Sequence, residues 1–185
     1  MRQWDDVVRS GSTNTLAGDL WKTKPRVRHL VLHGEFELTI DDKNRMLVPS
    51  DVRRQIDPTR DGEAFFCVFG VDGRPWLYPE RHYEELVSAV PSELTPDADS
   101  LAYDRMNLGM ASRIEWDKQG RILFPEKFLK RSGIGKDVTL LGVRDHLELW
   151  ARADWETERE ALNARRAEIA LRNRTTRQSP PPLQQ

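Results

Sequence analysis

Two nine-residue stretches carry the same polar pattern: DDKNRMLVP at 41–49 and DKQGRILFP at 117–125. Each has an aspartate, an arginine four residues on, and a proline four residues after that, with apolar residues before the proline. Asn44 and Gly120 hold equivalent places, and both residue types tolerate the positive φ that a tight corner demands. Asp41 and Asp117 can accept hydrogen bonds from turn N–H groups, or orient the arginine that follows. Such a corner can be an ordinary exposed turn. Its repetition favours a second reading, because duplicated packing has no need for a repeated exposed arginine. Arg45 and Arg121 suit bidentate hydrogen bonding to phosphate or to a guanine edge. Lys43 and Lys118 add positive charge at non-equivalent positions of the two corners.

Catalytic chemistry finds little support. His29, His33, His82 and His146 show no metal-ligand spacing, and there is no glycine-rich phosphate loop, nucleophile elbow or Cys–His pair. Asp41 and Asp117 could be paired acids, but each has a turn to hold. No enzyme activity, metal or cofactor is expected. The single cysteine, Cys67, lies in the apolar run FFCVF and reads as a small buried hydrophobe.

The elements around the corners repeat as well. Phe36, Leu38 and Ile40 alternate with polar residues, which predicts a half-buried strand running into the first corner. A short strand, RMLV, leaves it; Pro49 then opens a helix at its first position, followed by strands AFFCVFG and WLY. The second copy runs RIEW, corner, RILF, a helix from Pro125 closed by Gly133, then VTLLG and LELW. A unit of this size buries too little surface to be stable alone, so the two should pack around one core. The predicted fold is α+β and β-rich, with two tandem halves forming one pseudo-twofold, barrel-like body with connecting helices. The expected organisation is an N-terminal extension over 1–30, a first half over 31–85 and a helical connector over 86–110. A second half over 111–155, a C-terminal helix over 156–174 and a disordered tail over 175–185 complete it.

The formal net charge is −1. Residues 1–30 carry six Lys/Arg against three acids and residues 163–177 five against one, so the body between them is acidic. DNA contact must then come from local basic points or from the basic ends. No apolar run approaches the roughly 18–20 residues that cross a bilayer, and the N-terminus lacks a signal-like apolar region; a cytoplasmic protein is expected.

The duplicated corners, with Gly34, LYP at 77–79, LGMAS at 108–112, GRILFPEKFLKRSGI and LLGVRDHLELW, resemble the MraZ family of double SpoVT/AbrB-type regulators over roughly residues 31–165. The resemblance implies two AbrB-like swapped-hairpin halves, assembly into a closed homo-oligomeric ring, and association with the nucleoid. It also implies repression through double-stranded DNA, at repeated G-rich elements in the promoter of the bacterial division and cell-wall cluster. The family's DNA-contacting signature falls here on Asp41, Lys43 and Arg45 and on Asp117 and Arg121; Lys118 matches no family position securely. Asn44 replaces the usual glycine of the first corner, and the extension at 1–30 is atypical. A different role, as an AbrB-type antitoxin or an interaction module acting on a partner such as an rRNA methyltransferase, uses the same fold type.

Overall fold

The computed structural model describes residues 30–178; the expectations for the N-terminal extension and for the end of the tail lie outside them, apart from Leu30 and residues 175–178. The chain runs β1 (Leu32–Thr39), β2 (Arg45–Leu47), α1 (Ser50–Gln55), α2 (Pro58–Asp61), β3 (Ala64–Phe69), β4 (Pro75–Pro79), α3 (Glu80–Ser88) and α4 (Ala98–Asp104). A π-helical turn over Arg105–Gly109 follows, then β5 (Ser112–Glu115), β6 (Arg121–Leu123), α5 (Glu126–Ser132), β7 (Asp137–Arg144), β8 (His146–Ala151), α6 (Arg152–Ala164) and α7 (Arg166–Gln178). The fold is α+β and strand-rich, as the alternating patterns predict.

All strand pairs are antiparallel. Six strands form one sheet in the order β1-β7-β8-β4-β3-β5, and β2 pairs with β6 in a separate two-stranded ribbon. Each sequence repeat therefore lends a strand to the other: β1 pairs with β7 over eight residues, and β5 with β3. The backbones of β1 and β7 come so close at Gly142 that a Cβ there would lie 2.3 Å from the His33 backbone nitrogen.

The core gathers one side chain after another from both repeats. Met46, Val48 and Val52 from the first meet Ile122, Phe124 and Phe128 from the second, with Leu77, Leu140, Leu147 and Leu149 from the large sheet. Phe69 stacks on Phe128 at 4.5 Å between ring centroids, joining the sheet to α5. Burying one such apolar side chain contributes about 1.5–3 kcal/mol. Neither repeat holds a complete set of these residues, which is why they share a core.

Four details differ from the sequence-based expectations. Pro49 and Pro125 sit at the N-cap, not at the first helical position, with ψ of 143° and 133°. Their carbonyls still open the helices, accepting from Arg53 N at 3.0 Å and Leu129 N at 3.2 Å. Residues 57–63, where the sequence patterns predict no element, contain a helical turn capped by Asp57, whose carboxylate accepts from Thr59 N at 3.0 Å. The C-terminal helix begins at Arg152 and is two helices, separated at Arg165, where ψ of 7° opens the turn. It is tied to β1: Trp155 Nε1 and Arg159 Nη1 both donate to Glu35 Oε1 at 2.8 Å. Finally, within the helical connector predicted over 86–110, α4 runs directly into the π-helical turn. Gly133 closes α5 in the left-handed region at φ 67°, as its position predicts. No helix among the described residues is long and apolar enough to cross a membrane.

Candidate nucleic-acid interface

The two corners share one backbone. Asp41 N donates to Arg45 O at 2.8 Å and Asn44 N to Asp41 O at 2.9 Å; Asp117 N donates to Arg121 O at 2.8 Å and Gly120 N to Asp117 O at 2.8 Å. Asn44 and Gly120 both take positive φ, 59° and 81°. The aspartates act as the turn chemistry requires. Asp41 Oδ1 accepts from Lys43 N and Arg45 N, each at 2.9 Å. Asp117 Oδ1 accepts from Gln119 N at 2.9 Å and Arg121 N at 3.0 Å.

The remaining carboxylate oxygen grips the arginine. Asp41 Oδ2 accepts from Arg45 Nε at 2.9 Å and Nη2 at 2.6 Å. Asp117 Oδ2 accepts from Arg121 Nε at 2.8 Å and lies 2.7 Å from Nη2. Hydrogen bonds from the Arg45 side chain and backbone hold the Asp41 carboxyl down at about 2. Those from the Arg121 backbone and side chain lower Asp117. Each guanidinium is thus clamped on its Nε/Nη2 edge, while Nη1 makes no hydrogen bond or ion pair among the described residues. An arginine fixed on one edge, with another edge open, has already lost the rotamer freedom that binding would otherwise cost. The copies differ in one respect: Arg121 Nη2 also reaches Gln119 Oε1 at 3.2 Å, whereas the equivalent residue in the first corner is Lys43.

The corners are bound to each other. Val48 N donates to Gly120 O and Phe124 N to Asn44 O, both at 2.9 Å. Between them the ribbon pairs Arg45 with Leu123, Met46 with Ile122 and Leu47 with Arg121. Strand alternation then settles which way each side chain faces. Met46 and Ile122 point to the core, at 1% and 0% exposure. Arg45, Leu47, Arg121 and Leu123 all occupy the opposite, outer face, the two arginines on one diagonal and the two leucines on the other. Diagonal neighbours of such a pair stand about 7–8 Å apart. The arginine side chains are 31% and 34% exposed. Lys43 and Lys118 are exposed on the flanking turns, with no ion pair among the described residues.

Two features of this face escape a reading of the motif alone. Leu47 and Leu123 are 51% and 57% exposed at its centre. Arg53, from α1, lies over the second corner: its Nε donates to Val48 O at 3.2 Å, and a Cβ on Gly120 would fall 2.8 Å from that nitrogen. Arg53, Lys118, Asp117 and Trp116 line a shallow cleft beside it. The contrast between Gly120 and Asn44 was the available signal: the repeat places Leu129, not an arginine, at the position equivalent to Arg53.

Of the four histidines, His33, His82 and His146 lie among the described residues. Among the described residues no group of three or more His, Cys, Asp or Glu is placed to hold a metal ion. Asp145 instead lies between His146 Nδ1 at 2.8 Å and His82 Nε2 at 3.4 Å, at the turn between β7 and β8. His146 stacks on Trp76 at 4.3 Å and its Nε2 is 3.5 Å from Glu148 Oε1, an ion-pair distance without hydrogen-bond geometry. Cys67 is fully buried, which pushes its thiol pKa well up.

Comparison with known proteins agrees with the corners. Residues 31–104 and 108–177 match the family described as "MraZ protein, putative antitoxin-like". A protein of Clostridium tetani named "Transcriptional regulator MraZ" is 32% identical over 128 residues, 69% of this chain and 87% of its own length. Its namesake from Pediococcus pentosaceus is 34% identical over 66% of this chain and 82% of its own. That of Thermomicrobium roseum is 32% identical over 75% and 94%. With both repeats matched and identity above 30% across relatives of similar extent, the chain belongs to the MraZ family.

Proposed function

We propose that the outer face of the β2–β6 ribbon, with its two corners, is a sequence-reading DNA surface, and that the protein is a transcriptional regulator without enzymatic activity. The observation that carries this is the placement of Arg45 and Arg121 on one outer face, each clamped by its own aspartate with the Nη1 side left open. A two-stranded ribbon fits the major groove of B-DNA, about 12 Å wide. There an open guanidinium edge can donate to guanine O6 and N7, while Lys43 and Lys118 neutralise phosphates.

The strand order supports two AbrB-like halves related by a pseudo-twofold axis. Exchanging β1–β4 for β5–β8 turns the order β1-β7-β8-β4-β3-β5 into its own reverse. Such an axis, passing between the paired β2 and β6, would present both corners alike to a duplex. One bidentate arginine–guanine pair discriminates by roughly 1–3 kcal/mol, too little for one subunit to find a promoter. A closed ring of subunits meeting repeated promoter elements multiplies the contacts through effective concentration. This reading makes the protein a nucleoid-associated cytoplasmic repressor of the division and cell-wall cluster.

The test is binding of the full chain to DNA upstream of its own gene. Arg45→Ala with Arg121→Ala should weaken binding at least tenfold while circular dichroism and subunit assembly stay as in wild type. A folded double variant with wild-type affinity would refute the reading. A second role rests on a separate observation: α6 and α7 carry Leu162 and Ile169 at 39% and 38% exposure. These suit docking to a protein partner, such as a toxin or an rRNA methyltransferase. Loss of that partner on deleting residues 156–185, with DNA binding retained, would establish it.

A further inference from the structure

Leu47 and Leu123 lie outside the buried core. Each stands on the outer face of the ribbon, more than half exposed, directly across from an arginine. Position 47 in a short exposed strand would ordinarily hold a polar residue; here both copies of the repeat place leucine at the equivalent position. The apolar pair is bracketed by Arg45 and Arg121 and, on the turns, by Lys43 and Lys118. A protein core or a membrane would not match that charge. The complementary surface is anionic, offers hydrogen-bond acceptors to the arginines, and carries isolated methyl groups between them. The major groove of a thymine-containing duplex has all three features, since the thymine C5-methyl projects into it beside the purine acceptors.

Resting on the reading that this ribbon meets DNA, we propose that Leu47 and Leu123 are specificity-determining residues that recognise thymine C5-methyl groups. Leu123 lies opposite Arg45 and Leu47 opposite Arg121, about 4.5–5.5 Å away across the ribbon. Successive bases are about 3.4 Å apart along one strand. Each arginine–leucine pair therefore reads a guanine and a thymine one or two base pairs apart. The arginine discriminates by its hydrogen bonds, and the leucine by burying a methyl that cytosine lacks. The two pairs run in opposite directions along the ribbon, so the two half-sites they read are inverted relative to each other.

The methyl group can be removed without altering base pairing. A random-sequence duplex pool is selected on the full-length protein, then amplified either with dTTP or with dUTP. Affinities of the two pools are measured by fluorescence anisotropy for wild type and for the Leu47→Ser, Leu123→Ser double variant. Burial of one methyl corresponds to about fourfold in affinity, and of two to about fifteenfold. Wild type should lose between these factors on the deoxyuridine pool, and the double variant should bind both pools equally. Equal binding of both pools by wild type overturns the proposal and leaves the DNA-binding reading intact. A deoxyuridine loss of the same size in the double variant also overturns it, because the methyls would then act through duplex shape. Failure of wild type to enrich any pool would overturn both readings. Circular dichroism and the thermal midpoint of the double variant confirm that it is folded.

Discussion

Replacing Gly120 by alanine tests whether the second corner is as tightly built as its geometry implies. The residue has φ +81°, where a Cβ costs about 1–2 kcal/mol. The new carbon would lie 2.8 Å from Arg53 Nε and 2.9 Å from its Cδ and Cζ. Arg53 is flexible and can move away, so the clash costs only what holds it in place, the hydrogen bond to Val48 O. A bond of that kind contributes about 0.5–1.5 kcal/mol. Against these losses, alanine restricts the unfolded chain and returns about 0.4–1 kcal/mol. The net expectation is a destabilisation of about 1–2 kcal/mol, read as a lower urea midpoint at fixed protein concentration. The first corner supplies the control. Asn44 already sits at φ 59°, and Asn44→Gly exchanges a little backbone strain for a more flexible unfolded chain, leaving stability within about 0.5 kcal/mol. In an Arg53→Ala background the cost of Gly120→Ala should shrink by the hydrogen-bond share. If Gly120→Ala changed stability by less than about 0.5 kcal/mol, or cost the same with Arg53 removed, the account of this corner would be wrong.

Other outcomes follow from the same geometry. The Asp41 carboxyl is held at about 2 by the Arg45 hydrogen bonds, below its usual 3.8. Its contribution to stability is present in full above about pH 4 and lost as the pH falls toward 2; acid titration of Asp41→Asn should lack that component. For His146, burial opposes the charged ring, but the carboxylates of Glu148 and Asp145 outweigh it and raise its pKa. That contribution is complete below about pH 6.5 and fades as the pH rises through the raised value. Stability measured from pH 6 to 9 should therefore fall in wild type and stay flatter in His146→Gln. Lys43→Ala and Lys118→Ala should each reduce the salt slope of DNA binding by about one, without changing sequence preference. Buried Cys67 should resist a thiol reagent in native buffer and react once on denaturation, reporting global opening through a single label.

Much of the corner was legible in the sequence because it is a local object. The hydrogen bonds that close each turn on its own aspartate lie within five residues, so aspartate, a residue tolerant of positive φ, and arginine at fixed spacing are sufficient to specify the turn. The same holds for the Gly133 cap and for the alternating strands. The motif places the helix starts at Pro49 and Pro125, one residue before the first helical residues Ser50 and Glu126, because the sequence marks the proline but not its ψ. The turn at Pro58–Asp61 leaves no mark in the sequence pattern, because a stretch of four residues carries no periodicity.

The sequence by itself thus determined two outward-turning arginines, each with its own aspartate. Only the tertiary structure decided that they share a face. Arg45 and Arg121 are 76 positions apart, and no local rule makes β2 and β6 neighbours. The need to bury Met46 and Ile122 in one core brings the strands together and fixes their register. Because side chains alternate along a strand, that burial turns both arginines, and Leu47 and Leu123 with them, to the same outer surface.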